Sequence, residues 1–151
     1  MDAVALFKNE DWEVYTYKAG GNTSMVELFD AAVQCGFASP ANDFVHDPID
    51  VKDLLIDNEE ATFIVKATGV SMIDDGINPG DYLIIDRGKA YYPDGIALCC
   101  VNNDFTVKRV NVATATLKPA NKKFKNLVLS EGDDLRVWGM VSWVLKKTYG
   151  K

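Results

Sequence analysis

From residue 62 onward the sequence is a succession of short runs rich in aliphatic, β-branched and aromatic residues, each stopped by a turn marker. The runs are 62–68 (TFIVKAT), 82–86 (YLIID), 95–101 (GIALCCV), 105–110 (FTVKRV), 115–118, 127–129 and 135–145 (LRVWGMVSWVL), the last with a central glycine. Between them stand Asn78-Pro79-Gly80-Asp81, Pro93-Asp94-Gly95, Asn102-Asn103-Asp104 and Glu131-Gly132-Asp133. Closely spaced strands with such punctuation predict a mostly β fold, a compact barrel or sandwich. From residue 44 onward only 50–57 (DVKDLLID) reads as a short helix, and neither an internal repeat nor a low-complexity stretch breaks the pattern.

The chain divides near residue 40. Its 151 residues suit one domain with a short arm, and residues 1–35 read as that arm. Within it, 12–18 alternates and predicts a short strand stopped by Gly20-Gly21. Ser24 followed by Glu27 is a capping-box pattern. Met25, Leu28, Phe29, Ala32 and Val33 then recur at helical spacing and predict a helix. Ser39-Pro40-Ala41-Asn42-Asp43 follows as a linker rich in turn formers. An arm of this size is too short for a helix-turn-helix domain with its own core, and it shows no recognition-helix pattern.

Several function classes are disfavoured by composition. No apolar run approaches the roughly 18 residues that a membrane span needs. The start, MDAVALFKNEDWEVY, lacks the basic region of a secretory signal, so the cytoplasm is the expected compartment. The net charge is −6, whereas proteins that grip DNA directly carry a basic patch. Lys118, Lys122, Lys123 and Lys125 read as a solvated loop, and tight direct DNA binding is not expected. Cys35, Cys99 and Cys100 give no disulfide framework. Cys99 and Cys100 are neighbours on a strand and point to opposite faces. With His46 the single histidine and no CxxC spacing, neither a metal site nor a cofactor is expected.

Two places can carry chemistry. Gly69-Val70-Ser71-Met72-Ile73-Asp74-Asp75-Gly76 leaves the end of one predicted strand and runs through Pro79-Gly80-Asp81 into the next. A serine there can be exposed on a rigid backbone, although a serine between a glycine and a helical turn is commonly a cap and nothing more. The second is Lys108. Alternation along 105–110 puts Phe105, Val107 and Arg109 on one face and Thr106, Lys108 and Val110 on the other. Lys108 therefore sits between a threonine and a valine, where partial burial is open to it; a lone strand lysine is otherwise a solvated surface group. Cys35-Gly36 is explicable locally too, since glycine commonly follows a helix end.

Taken in order, the segment from Gly69 through Ser71-Met72 to Gly80-Asp81 and 83–86, the Val107-Lys108 pair, and Cys35-Gly36-Phe37 resemble the peptidase domain shared by LexA and UmuD. The resemblance runs from about Cys35 to the C-terminus, and the short arm and Cys-Gly bond look like the UmuD branch. It implies a Ser-Lys dyad of Ser71 and Lys108 that cuts the chain's own Cys35–Gly36 bond, removing residues 1–35 and leaving a dimerising 36–151 domain. It also implies an SOS-response role: stimulation by a RecA–single-stranded-DNA filament, then service of the shortened homodimer as accessory subunit of a UmuC-type, error-prone translesion polymerase, with no membrane partner. Three other readings stay open: a signal peptidase, which normally needs a membrane anchor; a LexA-like repressor fragment, which would lack its DNA-binding domain; and a non-proteolytic polymerase accessory protein with a vestigial dyad.

Overall fold

A computed structural model describes residues 4–8, 12–16, 25–29 and 46–150, with side chains described for 48–150. The described residues form eleven strands and little helix, as the punctuated β pattern requires. The strands are β1 (Val4–Lys8), β2 (Trp12–Thr16), β3 (Met25–Phe29), β4 (His46–Asp50), β5 (Thr62–Ala67), β6 (Tyr82–Asp86), β7 (Gly95–Val101), β8 (Asp104–Asn111), β9 (Thr116–Lys118), β10 (Leu127–Val128) and β11 (Leu135–Leu145). One short helix, α1 (Val51–Leu55), follows β4. The Asp50 carboxylate caps it by accepting from the Lys52 N–H at 2.9 Å.

Two compact units result. β3, β4 and α1 belong to one (Gly20–Asp57), and the other strands to the second. In the first, β3 and β4 pair antiparallel from Met25 opposite Asp50 to Phe29 opposite His46. The helix expected from Met25, Leu28, Phe29, Ala32 and Val33 is therefore corrected: residues 25–29 are a strand. An apolar run this short fits both periods, and helices under about 12 residues are marginal without tertiary support. A cross-strand partner decides the matter, and 46–50 had shown no strand signal of its own. Cys35, Gly36, Ala32 and Val33, together with the expected linker at 39–43, lie outside the described residues.

The second unit is a nine-stranded sheet in the order β1-β2-β5-β6-β11-β7-β8-β9-β10, antiparallel at every pairing. Its pivot is β11. Residues 135–140 pair with β7, and residues 140–145 pair with β6. The register shifts once between Val137 and Gly139 and again between Val141 and Trp143. Such irregularities bend a strand and increase its twist. Gly139 suits the bend because a Cβ there would meet Ile85 Cγ2 at 2.8 Å and the Asp86 carbonyl oxygen at 3.0 Å.

The bend lets the two halves of the sheet share one core. Val65, Leu83 and Ile85 from β5 and β6 pack in one cluster with Leu98 and Val107 from β7 and β8, joined by Met72 and Ile77 from the loop between β5 and β6. Trp138 covers an edge of it, its ring edge-on to Phe105 at 4.9 Å between centroids, with the Arg87 guanidinium 5.0 Å from the Trp138 centroid. A second cluster of Ala97, Cys99, Val110, Leu117 and Met140 is drawn from β7, β8, β9 and β11. Cys99 is buried and Cys100 only partly so, as the alternation of a strand demands.

Candidate active site

Ser71 lies four residues beyond the end of β5, in the turn that leads into a single 3-10 turn at Ile73–Asp75. The next residue fixes it in place. Met72 is 1% exposed and belongs to the main core, while its carbonyl accepts the N–H groups of Asp75 and Ile77, each at 3.2 Å. Gly76 then reverses the chain with φ +78°, a left-handed conformation that glycine adopts without a Cβ penalty. Asp81 closes the loop. Its carboxylate accepts the Asn78 N–H at 2.8 Å and pairs with Lys146, and the Asp81 carbonyl accepts the Ala67 N–H at 2.8 Å. The serine is thus held on a short, over-determined loop with its side chain at the surface of the core.

Lys108 sits in the middle of β8, opposite Ala97 of β7. It is half-buried, and the structure brings its ammonium nitrogen to Ser71: Lys108 Nζ donates to Ser71 Oγ at 2.8 Å. Two further bonds orient it, to Thr106 Oγ1 at 2.8 Å and to the Val107 carbonyl at 3.1 Å. Thr106 shares the face of Lys108, so the alternation of the strand already pointed to it. Burial pushes the neighbouring Cys99 thiol up to about 12, with the Lys108 charge pulling the other way. That thiol is a core group and not a second nucleophile.

Arg109 points away from Lys108, as alternation requires, but it is not idle. Its Nε and Nη2 reach the two Asp75 carboxylate oxygens at 2.7 and 2.9 Å, and Nη1 donates to the Asp94 carbonyl at 2.8 Å. Hydrogen bonding by Asp75 raises the guanidinium above its ordinary value. Nothing local in the sequence announces this pair, whose members are 34 positions apart. Behind Ser71 lies Asn121, buried at the start of the turn that had read as a solvated basic loop. Its Nδ2 donates to the Val70 carbonyl at 2.8 Å. Of the lysines expected in that loop, Lys122, Lys123 and Lys125 are exposed, whereas Lys118 is corrected: it ends β9, half-buried, and pairs with Asp94 at 2.8 Å because the strand carries it there.

A cavity of about 310 Å³ opens beside the pair, lined by Val101, Thr106, Lys108, Leu117, Pro119 and Leu127 among others. It is at the small end of ligand sites, and Asn102, Asp104 and Lys125 line it alongside the apolar groups. The pair itself sets a hydroxyl beside a nitrogen that can accept its proton whenever that nitrogen is neutral. The other expected site residues, Cys35 and Gly36, fall outside the described residues. Among the described residues no helix is long and apolar enough to cross a membrane.

Residues 27–142 match the Peptidase S24-like family. The chain is 25% identical over 132 residues to Protein MucA of Salmonella typhimurium, an alignment covering 86% of this chain and 90% of MucA. It is 31% identical over 126 residues to Protein SamA of Salmonella typhimurium, covering 83% and 88%. With the LexA repressor of Magnetococcus marinus it shares 34% identity over 97 residues, 60% of this chain and 42% of the repressor. The matched region contains Ser71, Lys108 and every strand that positions them, and the chain belongs to the Peptidase S24-like family.

Proposed function

We propose that this protein is a UmuD-like, self-cleaving serine endopeptidase in which Ser71 attacks the carbonyl of Cys35 and Lys108 acts as general base. The observation that carries the reading is the 2.8 Å hydrogen bond between Lys108 Nζ and Ser71 Oγ. A serine hydroxyl is a weak nucleophile until a base takes its proton, and a lysine can take it only when neutral. An ordinary lysine, with pKa about 10.4, is neutral in roughly one molecule in a few thousand at pH 7. Desolvation favours the neutral form, and docking of the cleavage segment over a half-buried Lys108 supplies it.

The steps balance. Lys108 takes the Ser71 proton as Oγ bonds to the Cys35 carbonyl carbon. The tetrahedral oxyanion is met by backbone N–H donors beside Ser71. Lys108 then passes the proton to the Gly36 nitrogen as the peptide bond breaks, leaving residues 1–35 esterified to Ser71. Water, deprotonated by the same lysine, then attacks the ester carbonyl, and the lysine returns that proton to Ser71 Oγ as the ester bond breaks and residues 1–35 leave as a carboxylic acid that ionises to the carboxylate. This is the logic of the Ser-His-Asp triad with one residue doing the work of two.

The wider reading follows the family. A peptidase tethered to its own substrate works at high effective concentration, so the cleavage segment must be held away until needed. A RecA–single-stranded-DNA filament would shift that population toward the docked form without supplying catalytic groups. The product, a 36–151 homodimer, would join a UmuC-type error-prone polymerase in the cytoplasm during the SOS response. Incubating the purified chain at mildly alkaline pH and weighing the products tests the core of this. A 116-residue fragment starting at Gly36 (151 − 35), absent from Ser71→Ala, is expected; an intact wild-type chain, or a cut elsewhere, overturns it.

A further inference from the structure

The peptide that joins Val70 to Ser71 is held from one side by a buried side chain. Asn121 is 7% exposed, and both ends of its amide are occupied. Nδ2 donates to the Val70 carbonyl at 2.8 Å, and Oδ1 accepts the Lys123 N–H of its own turn at 2.9 Å. The residue before it adds a second tie, the Ala120 carbonyl accepting the Asp74 N–H at 2.7 Å. Two adjacent residues of the turn after β9 therefore grip the serine loop on either side of Ser71, at positions 70 and 74. Packing adds less at position 70, where Val70 is 45% exposed. Its carbonyl otherwise accepts only a long 3.4 Å bond from the Ile73 N–H among the described residues.

A peptide unit is planar and trans, so its C=O and N–H point in opposite directions. Pinning the Val70 oxygen toward Asn121 consequently fixes where the Ser71 N–H points. It also fixes the Cα from which Ser71 Oγ reaches Lys108. In acyl transfer to a serine, a preset backbone N–H beside the nucleophile is worth most when it needs no reorientation as the oxyanion forms.

We propose that Asn121 is a positioning residue of this site, acting through the Val70–Ser71 peptide to preset the Ser71 N–H and hydroxyl before the substrate carbonyl arrives. The proposal rests on the reading of Ser71 and Lys108 as a nucleophile and its base. It differs from a plain turn-stabilising role, in which only the Oδ1 bond to Lys123 matters. Asn121→Asp separates the two: it keeps shape and the acceptor for Lys123 N–H, but sets an oxygen where the donor to Val70 was. Asn121→Ala removes both.

The test uses the full chain in three forms: wild type, Asn121→Asp and Asn121→Ala. Two rates are followed across pH 7 to 10: first-order self-cleavage, and labelling of Ser71 by a fluorophosphonate, which needs no docked cleavage segment. Both variants are expected to lose between about tenfold and a hundredfold in limiting rate in both assays, with the alkaline midpoint unmoved. Wild-type rates in Asn121→Asp overturn the proposal, as does a change confined to the midpoint, which would mean that the new charge acts on Lys108 alone. A wild type that labels quickly but never cleaves, with slow Asn121→Asp labelling, upholds the positioning role and sinks the Cys35–Gly36 reading. A wild type that does neither sinks both. If the variants do not fold, scalar coupling across the hydrogen bond from the Asn121 side-chain amide to the Val70 carbonyl in the wild type decides: its absence overturns the proposal, its presence supports it.

Discussion

Arg109 and Asp75 meet fork to fork, Nε to Oδ2 at 2.7 Å and Nη2 to Oδ1 at 2.9 Å, so that the residue after the lysine of the site clamps the residue four places after its serine. Two-point pairing of this kind sets orientation as well as distance. The strand that carries Lys108 and the turn that carries Ser71 are thereby joined twice, once through the chemistry and once beside it.

The Arg109 side chain is 40% exposed and that of Asp75 18%, so the pair contributes about 0.2–1 kcal/mol, as partly solvated pairs do. Arg109→Ala should therefore keep substantial self-cleavage, slowed by less than about tenfold. Molar salt, which shortens the screening length to about 3 Å, should narrow the gap between variant and wild type. Gel densitometry of the intact chain over time measures this. An Arg109→Ala protein as inert as Ser71→Ala would move Arg109 into the chemistry.

Ser71→Ala and Lys108→Ala should each abolish self-cleavage while leaving the thermal melt within a few degrees of wild type. Each removes a group at the edge of the core and leaves Met72 and Val107, both fully buried, in place. Cleavage by Lys108→Ala at the wild-type rate would remove the lysine from its role as base.

The pH response has two opposing parts. Neutral lysine grows tenfold per unit below its pKa, so spontaneous cleavage should accelerate from pH 7 toward about 10. The fold responds in the other direction. Burial pushes the Cys99 thiol up to about 12, so the folded chain holds a proton that the unfolded chain gives up near 9. The stability this contributes is complete below about 9 and drains away as pH rises from there toward 12. Cleavage followed together with circular dichroism should rise first and collapse later. Cys99→Ala should delay the collapse without altering the rise. A flat rate between 7 and 9, with the fold intact, contradicts a lysine base.

How much of this was legible in the sequence depended on how local the signal was. β6 and β7 begin and end where their apolar runs meet turn residues, and alternation alone placed Thr106 beside Lys108 and turned Arg109 away. β3 was misread because Met25, Val26, Leu28 and Phe29 satisfy a helical stripe as well as a strand, and the strand that decides between them, His46–Asp50, contains Pro48 and no β-branched run except Ile49. Asn121 stood hidden among lysines. Its burial comes from the fold returning over Val70, 51 positions earlier, which no local pattern encodes. The same holds for Asp75 with Arg109 and for Asp81 with Lys146, pairs made by strand order and not by neighbours in sequence.

Cleavage between Cys35 and Gly36 would remove β1, β2 and β3, and the loss of β2 uncovers an edge of the main sheet. β2 pairs antiparallel with β5 over its whole length, from Trp12 opposite Ala67 to Thr16 opposite Phe63, while β6 covers the other edge of β5. In the 36–151 form β5 becomes an edge strand, and an open edge is a template for pairing with another chain. The arm also takes charge with it: Asp2, Glu10, Asp11, Glu13, Glu27 and Asp30 against Lys8 and Lys18 give −4, leaving about −2 of the −6 on the remainder. The cut and uncut forms should therefore offer a polymerase different surfaces. Hydrogen exchange reads the first step directly. The alternate amides of 62–67 that face β2 should exchange much faster in the protein starting at Gly36 than in full-length Ser71→Ala, while those facing β6 stay protected. Complementation reads the second: in cells lacking their own UmuD, the Gly36-start protein should restore damage-induced mutagenesis and full-length Ser71→Ala should not. Equal exchange along β5 in the two forms would mean that β2 does not cover that edge in solution, and equal mutagenesis would mean that cleavage is not the switch.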